Sequence, residues 1–158
     1  MTAGHEKSRK RPSRRHVLAG AGALALLSGA IGPARAQSSG DFAAALKKAL
    51  DGGTPREGKI AIAAPEIAEN GASVPVTLTV DHPMAPGNHV ARIVLLADGN
   101  PASEVAAFRL TPLGGKAELS LRIRLARTQN LVAVAELSDR SLWTARREIK
   151  VTIGGCGG

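Results

Sequence analysis

Two stretches of this chain alternate apolar and polar residues with a period of two, and that pattern limits the fold more than any other feature. Leu119, Leu121, Ile123 and Leu125 alternate with Ser120, Arg122 and Arg124. Val74, Val76, Leu78 and Val80 alternate with Pro75, Thr77 and Thr79. Successive side chains of a strand point to opposite faces, so each stretch is predicted to be a strand with one face buried and the other in water. Proline cannot donate to a ladder, which places Pro75 at a sheet edge or a bulge.

The remainder of residues 58–153 divides in the same way. Residues 59–64, 89–97, 104–110, 131–137 and 142–153 read as further strands, the second with an apolar centre at Ile93-Val94-Leu95-Leu96. Residues 65–71, 81–88, 98–101, 112–115 and 138–141, rich in Pro, Gly, Asn and Asp, read as loops and turns. Parallel neighbours need a crossover of a dozen or more residues, and no gap between consecutive segments is long enough. The predicted fold is all-β: an immunoglobulin-like antiparallel sandwich of about seven strands, with an open barrel as the second choice.

Residues 37–57 precede the strands as a short helical segment. Phe42, Leu46, Ala49 and Leu50 fall at helical spacing, Ser39 or Gly40 is a candidate cap, and Asp51-Gly52-Gly53 supplies a stop. Asp41 near its start and Lys47-Lys48 near its end suit the helix dipole. It is expected to pack on the sandwich.

Residues 1–36 read as a cleaved export signal. Lys7, Arg9, Lys10, Arg11, Arg14 and Arg15 form a basic region, a soft Ala/Gly-rich apolar stretch follows, and Ala34-Arg35-Ala36 offers a small-x-small cleavage site. The apolar stretch is too short and glycine-broken to span a membrane. Ser13-Arg14-Arg15-His16-Val17-Leu18 resembles the twin-arginine signal, which exports folded proteins to the periplasm, an ordinary secretory signal being the alternative.

That signal accounts for most of the chain's charge. Seven of the 21 Lys and Arg and one of the 13 acidic residues fall within it, leaving 14 and 12, a net of +2 against +8 for the whole. With no basic tract and only Phe42, Phe108 and Trp143 as aromatics, nucleic-acid binding has no support. A single cysteine cannot form an internal disulfide.

Candidate sites are few. Arg122 and Arg124 share one strand face with Arg127 just beyond, either a solvated face or a patch for an anionic partner. His82 and His89 flank one loop, but two histidines without further ligands do not make a metal site. The pentapeptide Gly154-Gly155-Cys156-Gly157-Gly158 carries the only cysteine on a glycine tether. A catalytic cysteine needs a base held within hydrogen-bond reach, and no histidine lies near Cys156 in sequence. No catalytic set, phosphate loop, metal motif or cofactor motif appears elsewhere. The thiol is present without machinery to use it, which favours a carrier over an enzyme.

These residues resemble the SoxY family, the sulfur-carrier subunits of the bacterial Sox thiosulfate-oxidising system. The likeness rests on the ending Val151-Thr152-Ile153-Gly154-Gly155-Cys156-Gly157-Gly158. It is shared by the segments Pro65-Glu66-Ile67-Ala68-Glu69-Asn70-Gly71 and Val74-Pro75-Val76, and by Arg124-Leu125-Ala126-Arg127-Thr128-Gln129-Asn130 and Val132-Ala133-Val134-Ala135-Glu136. The resemblance implies a periplasmic immunoglobulin-like protein paired with SoxZ, with sulfur intermediates attached at Cys156 and residues 154–158 as a swinging arm of Gly154, Gly155, Gly157 and Gly158. It implies docking to SoxAX, which couples thiosulfate to the cysteine, to SoxB, which releases sulfate, and to a sulfane dehydrogenase where one exists. It implies no cofactor of the chain's own.

Two other readings stay open on the residues alone. One is an exported immunoglobulin-like structural or binding module whose cysteine pairs with another chain. The other is a ubiquitin-like carrier using a C-terminal thiocarboxylate, which fits poorly with an export signal and this many strands.

Overall fold

A computed structural model describes residues 37–154, with side chains from residue 41. The two alternating stretches form β4 (Val74–Val80) and β7 (Glu118–Ile123), which pair antiparallel along their length. With β2 (Ile60–Ala63) they make a three-stranded sheet in the order β2-β4-β7. Their burial alternates as the sequence does: Val74, Val76, Leu78 and Val80 are buried, while Pro75 and Thr79 are exposed. β2 covers only Thr77 to Val80 of β4. Pro75 therefore sits where β4 is paired on one side alone, a position that needs no amide from it.

The larger sheet contains β5 (Val90–Ala97), β6 (Glu104–Arg109), β8 (Gln129–Leu137) and β9 (Leu142–Ile153). Its order is β9-β8-β5-β6, all antiparallel. Its inner face packs on the small sheet through Ile93, Leu95, Leu131, Ala133 and Ile149 against Val76, Leu78, Ile123 and Leu125. Its outer face is covered by α1 (Gln37–Leu50), whose Phe42, Ala45, Leu46, Ala49 and Leu50 lie on Val94, Leu96, Val132, Val134 and Leu142. Dry on both faces, the centres of β5 and β8 are continuous apolar runs.

α1 runs from Gln37, so Ser39 and Gly40 lie inside the helix rather than at its cap. It ends where expected: Asp51 and Gly52 turn to positive φ of 45° and 78°. Arg92 Nη2 then donates to the Ala49 carbonyl at 2.8 Å, satisfying an end group the helix itself cannot, while Arg92 Nε pairs with Glu136 at 2.9 Å.

The seven expected strands are β2 and β4 to β9. The structure adds two, β1 (Arg56–Glu57) and β3 (Ile67–Asn70), both paired parallel to β9. Residues 65–71 are thus not simply a loop, and the sandwich is not wholly antiparallel. The argument from gap length compared consecutive segments, whereas β9 returns from the far end of the chain and the whole sandwich serves as the crossover. β3 is also too short to show a period, with Ala68 its one buried residue. β1 is fastened through Trp143, whose ring has Lys59 Nζ at 4.8 Å and Arg56 Cζ at 6.0 Å from its centroid.

In the turn between β8 and β9, the Asp139 carboxylate accepts bonds from Ser141 Oγ at 2.6 Å and Ser141 N at 2.9 Å. The hydroxyl bond first, then the amide bond, holds its pKa below the ordinary 3.8. A carboxyl group so depressed stabilises the turn above about pH 4 and loses that contribution as acid protonates it. Asp139→Asn should therefore flatten the pH dependence of stability below pH 4 and leave neutral-pH function alone.

Core packing gives a sharper expectation. Leu78 is fully buried between the sheets and Leu113 is 97 % exposed at the opposite extreme. Leu78→Ala should cost about 3 kcal/mol in urea unfolding, and Leu113→Ala less than about 0.5 kcal/mol.

Candidate functional site

The strand registers gather one set of loops at the end where β9 runs out. β4 starts there opposite the end of β7, and β8 starts there opposite Ile149, four residues before the end of β9. The connections 71–73, 98–103 and 124–128 therefore form the rim around the end of β9. The connections 81–89, 110–117 and 138–141 lie at the other end.

β9 outlasts its neighbour. Its final register with β8 is Ile149 opposite Gln129, and four more residues follow. On one side these are held by β3, with Lys150 N donating to the Glu66 carbonyl at 2.9 Å and Gly71 N donating to the Ile153 carbonyl at 2.7 Å. On the other side no strand remains, and Val151 N donates instead to Thr128 Oγ1 at 2.9 Å. A lone threonine hydroxyl thus continues the ladder that β8 has stopped providing.

Gly154 comes next, exposed, but pressed against backbone. A Cβ placed on it would overlap the carbonyl oxygen of Ala126 and lie 3.1 Å from its carbonyl carbon. Glycine is required here for close approach of two backbone segments.

Loop 124–128 is itself fixed from beneath by two buried amides. Asn100 and Gln129 are only 8 % and 3 % exposed. Asn100 Oδ1 accepts from Ala126 N at 2.9 Å and Gln129 Nε2 at 2.8 Å, while Asn100 Nδ2 donates to the Arg124 carbonyl at 2.8 Å. Gln129 Oε1 in turn accepts from Gly99 N at 2.7 Å. Leu125 N donates to the Gly71 carbonyl at 2.8 Å, tying this loop to the one after β3. The side-chain oxygen and nitrogen of Asn100 and of Gln129 each have a partner, which makes the network rigid rather than costly.

Of the predicted site residues, Gly154 is the one the structure describes. Gly155, Cys156, Gly157, Gly158, Arg14, Arg15 and the whole of residues 1–36 lie outside the described residues. Arg122 and Arg124 are exposed on the open face of the small sheet, and Arg122 Nη1 donates to Ser73 Oγ at 3.3 Å. Arg127 is exposed on the rim. His82 and His89 lie at the far end, with both ring nitrogens of His82 and Nδ1 of His89 buried and unpaired. Among the described residues no group of three or more His, Cys, Asp or Glu could hold a metal ion.

Sequence reasoning missed the support around Gly154. Asn100 read as a turn residue, and Thr128 and Gln129 as parts of a family-like segment without a role. Their roles depend on loops brought together from distant parts of the chain.

The described residues define an immunoglobulin-like β-sandwich whose last strand ends at Ile153, three positions before the only cysteine in the sequence. A family model described as "Sulfur oxidation protein SoxY" matches residues 46–156. The structure of the sulfur carrier protein SoxY from Chlorobium limicola f thiosulfatophilum is similar, at 40 % identity over 72 % of this chain and 98 % of that one, with a TM-score of 0.58. The chain belongs to the SoxY family of sulfur oxidation proteins. A superoxide reductase (neelaredoxin) from Ignicoccus hospitalis shares the fold alone, at 24 % identity over 60 % of this chain and 80 % of that one, TM-score 0.54. No curated protein matches the chain significantly.

The amide network supports a direct test. Asn100→Ala strands the Ala126 amide, the Arg124 carbonyl and the Gln129 side chain, and should cost about 2–3 kcal/mol in denaturant unfolding. Arg122→Ala, on the solvated face, should stay within about 0.5 kcal/mol.

Proposed function

We propose that this chain is a periplasmic sulfur carrier, exported through its twin-arginine signal, that holds sulfur intermediates covalently on Cys156 and presents them to separate enzymes. The observation that carries this reading is the extent of the family match, which runs through residue 156 and so includes the only cysteine. The similar Chlorobium protein is a sulfur carrier by name.

The chemistry asks little of the carrier. Joining thiosulfate to the thiol forms one S–S bond and releases one proton and two electrons, which SoxAX accepts. Hydrolysis by SoxB then adds water across the bond to the sulfonate, releasing sulfate and a proton and leaving a persulfide on Cys156. A sulfane dehydrogenase, where present, oxidises that sulfane for a second hydrolysis. The electron acceptor, water activation and metal chemistry all belong to the partners, so the carrier needs no cofactor and no catalytic group.

Geometry supports this division of labour. A cysteine thiol with an ordinary pKa of about 8.5 is only a few per cent ionised at neutral pH, so activation requires a neighbouring base or cation. The described imidazoles, His82 and His89, lie at the opposite end of the sandwich. The seven residues of β4 alone span about 20 Å. Two residues beyond Gly154 reach at most about 7 Å. No described imidazole can act as that base, so the base must come from each enzyme, with the sandwich, paired with SoxZ, docked close by.

Intact-mass spectrometry of the full chain with its partner, thiosulfate and the pathway enzymes should show thiosulfonate and sulfane additions that vanish in Cys156→Ser. A wild-type chain that stays unmodified during thiosulfate turnover would overturn the carrier reading, and a disulfide-linked species active without Cys156 would favour a structural module.

A further inference from the structure

We infer that Gly154 is the fixed pivot of the carrier arm rather than its first flexible joint, and that Thr128 and the Asn100–Gln129 pair are positioning residues that set where Cys156 leaves the sandwich. This rests on the carrier reading for its functional meaning, but on its own observations for its geometry.

Three contacts converge on the end of β9 and on Gly154, and a fourth holds one of them from behind. Gly71 N binds the Ile153 carbonyl, Thr128 Oγ1 binds Val151 N, the Ala126 backbone abuts Gly154, and Asn100 holds Ala126 N in place. Gly154 is highly exposed, so a free hinge would leave room for a Cβ in any direction. Here the room is taken by backbone, which cannot rotate aside as a side chain can. No positive φ is involved at Gly154, in contrast to Gly52, Gly58, Gly87 and Gly115. Glycine is therefore used at 154 for contact and not for freedom of rotation.

The consequence is a shorter tether. Counted from Ile153, three residues would reach about 10 Å, and counted from a fixed Gly154, two reach about 7 Å. The volume that Cys156 can sweep falls roughly with the cube of that reach, to about one third. A smaller volume raises the effective concentration of the thiol at a docked active site, as a short linker does for any tethered ligand. It also makes docking directional, because the exit vector is set by loop 124–128 and not by the tail.

The test uses the full chain with its partner and three variants, Gly154→Ala, Gly155→Ala and Thr128→Val. Amide hydrogen exchange at Ala126 and Val151 should speed up by about tenfold or more in Gly154→Ala and stay within about twofold of wild type in Gly155→Ala. Equal behaviour of the two glycine variants would overturn the pivot. If Gly154→Ala does not fold, Thr128→Val decides: this residue is outside the arm and never enters a partner's active site. Its Val151 amide should exchange faster, and enzymatic loading of Cys156 should slow by about fivefold or more while reaction with a small disulfide reagent stays unchanged. Wild-type loading by Thr128→Val would overturn the positioning role. Failure of the wild-type chain to load at all would count against the carrier reading, and the exchange data would still judge the pivot.

Discussion

The structure depends on the burial of both faces of the sheet formed by β9, β8, β5 and β6. The small sheet covers one face and α1 the other, so Ile93 to Leu96 and Leu131 to Ala135 are dry on each side. Such strands tolerate no charge at their centres. Ionised groups are pushed to the margin, where Arg92 meets Glu136 and the end of α1. A core built this way offers no place for an ionised group.

β9 is longer than β8, and its surplus residues need partners for their backbone groups. β3 supplies them on one side and Thr128 on the other, while Asn100 and Gln129 hold the loop that carries Thr128 and Ala126. The same hydrogen bonds that complete the sheet thereby orient the chain as it leaves. Structural satisfaction and presentation of the tail are one arrangement here, and a residue such as Asn100 serves the second through the first.

Membership of the SoxY family gives that arrangement a purpose, and the unrelated activity of the superoxide reductases on the same fold shows why the fold could not. An immunoglobulin-like sandwich is a scaffold, and function resides in what is attached to it.

Much of this was legible in the residues. Alternation along 74–80 and 119–125 defined the half-buried strands, because side chains in a strand necessarily take turns between core and water. A continuous apolar run marked β5, and spacing marked α1. The lone cysteine among glycines pointed to a carrier because no other residues formed a chemical set. Three things needed the tertiary structure. β1 and β3 pair with a strand that returns from the end of the chain, and such parallel partners leave no local signature. The Asn100–Gln129 network joins loops 29 residues apart in sequence. Gly154 looked like its neighbours Gly155 and Gly157, since a glycine chosen for freedom and one chosen for contact are the same letter. The position of the Ala126 carbonyl shows contact at Gly154, because the evidence lies in the space a missing Cβ would have filled.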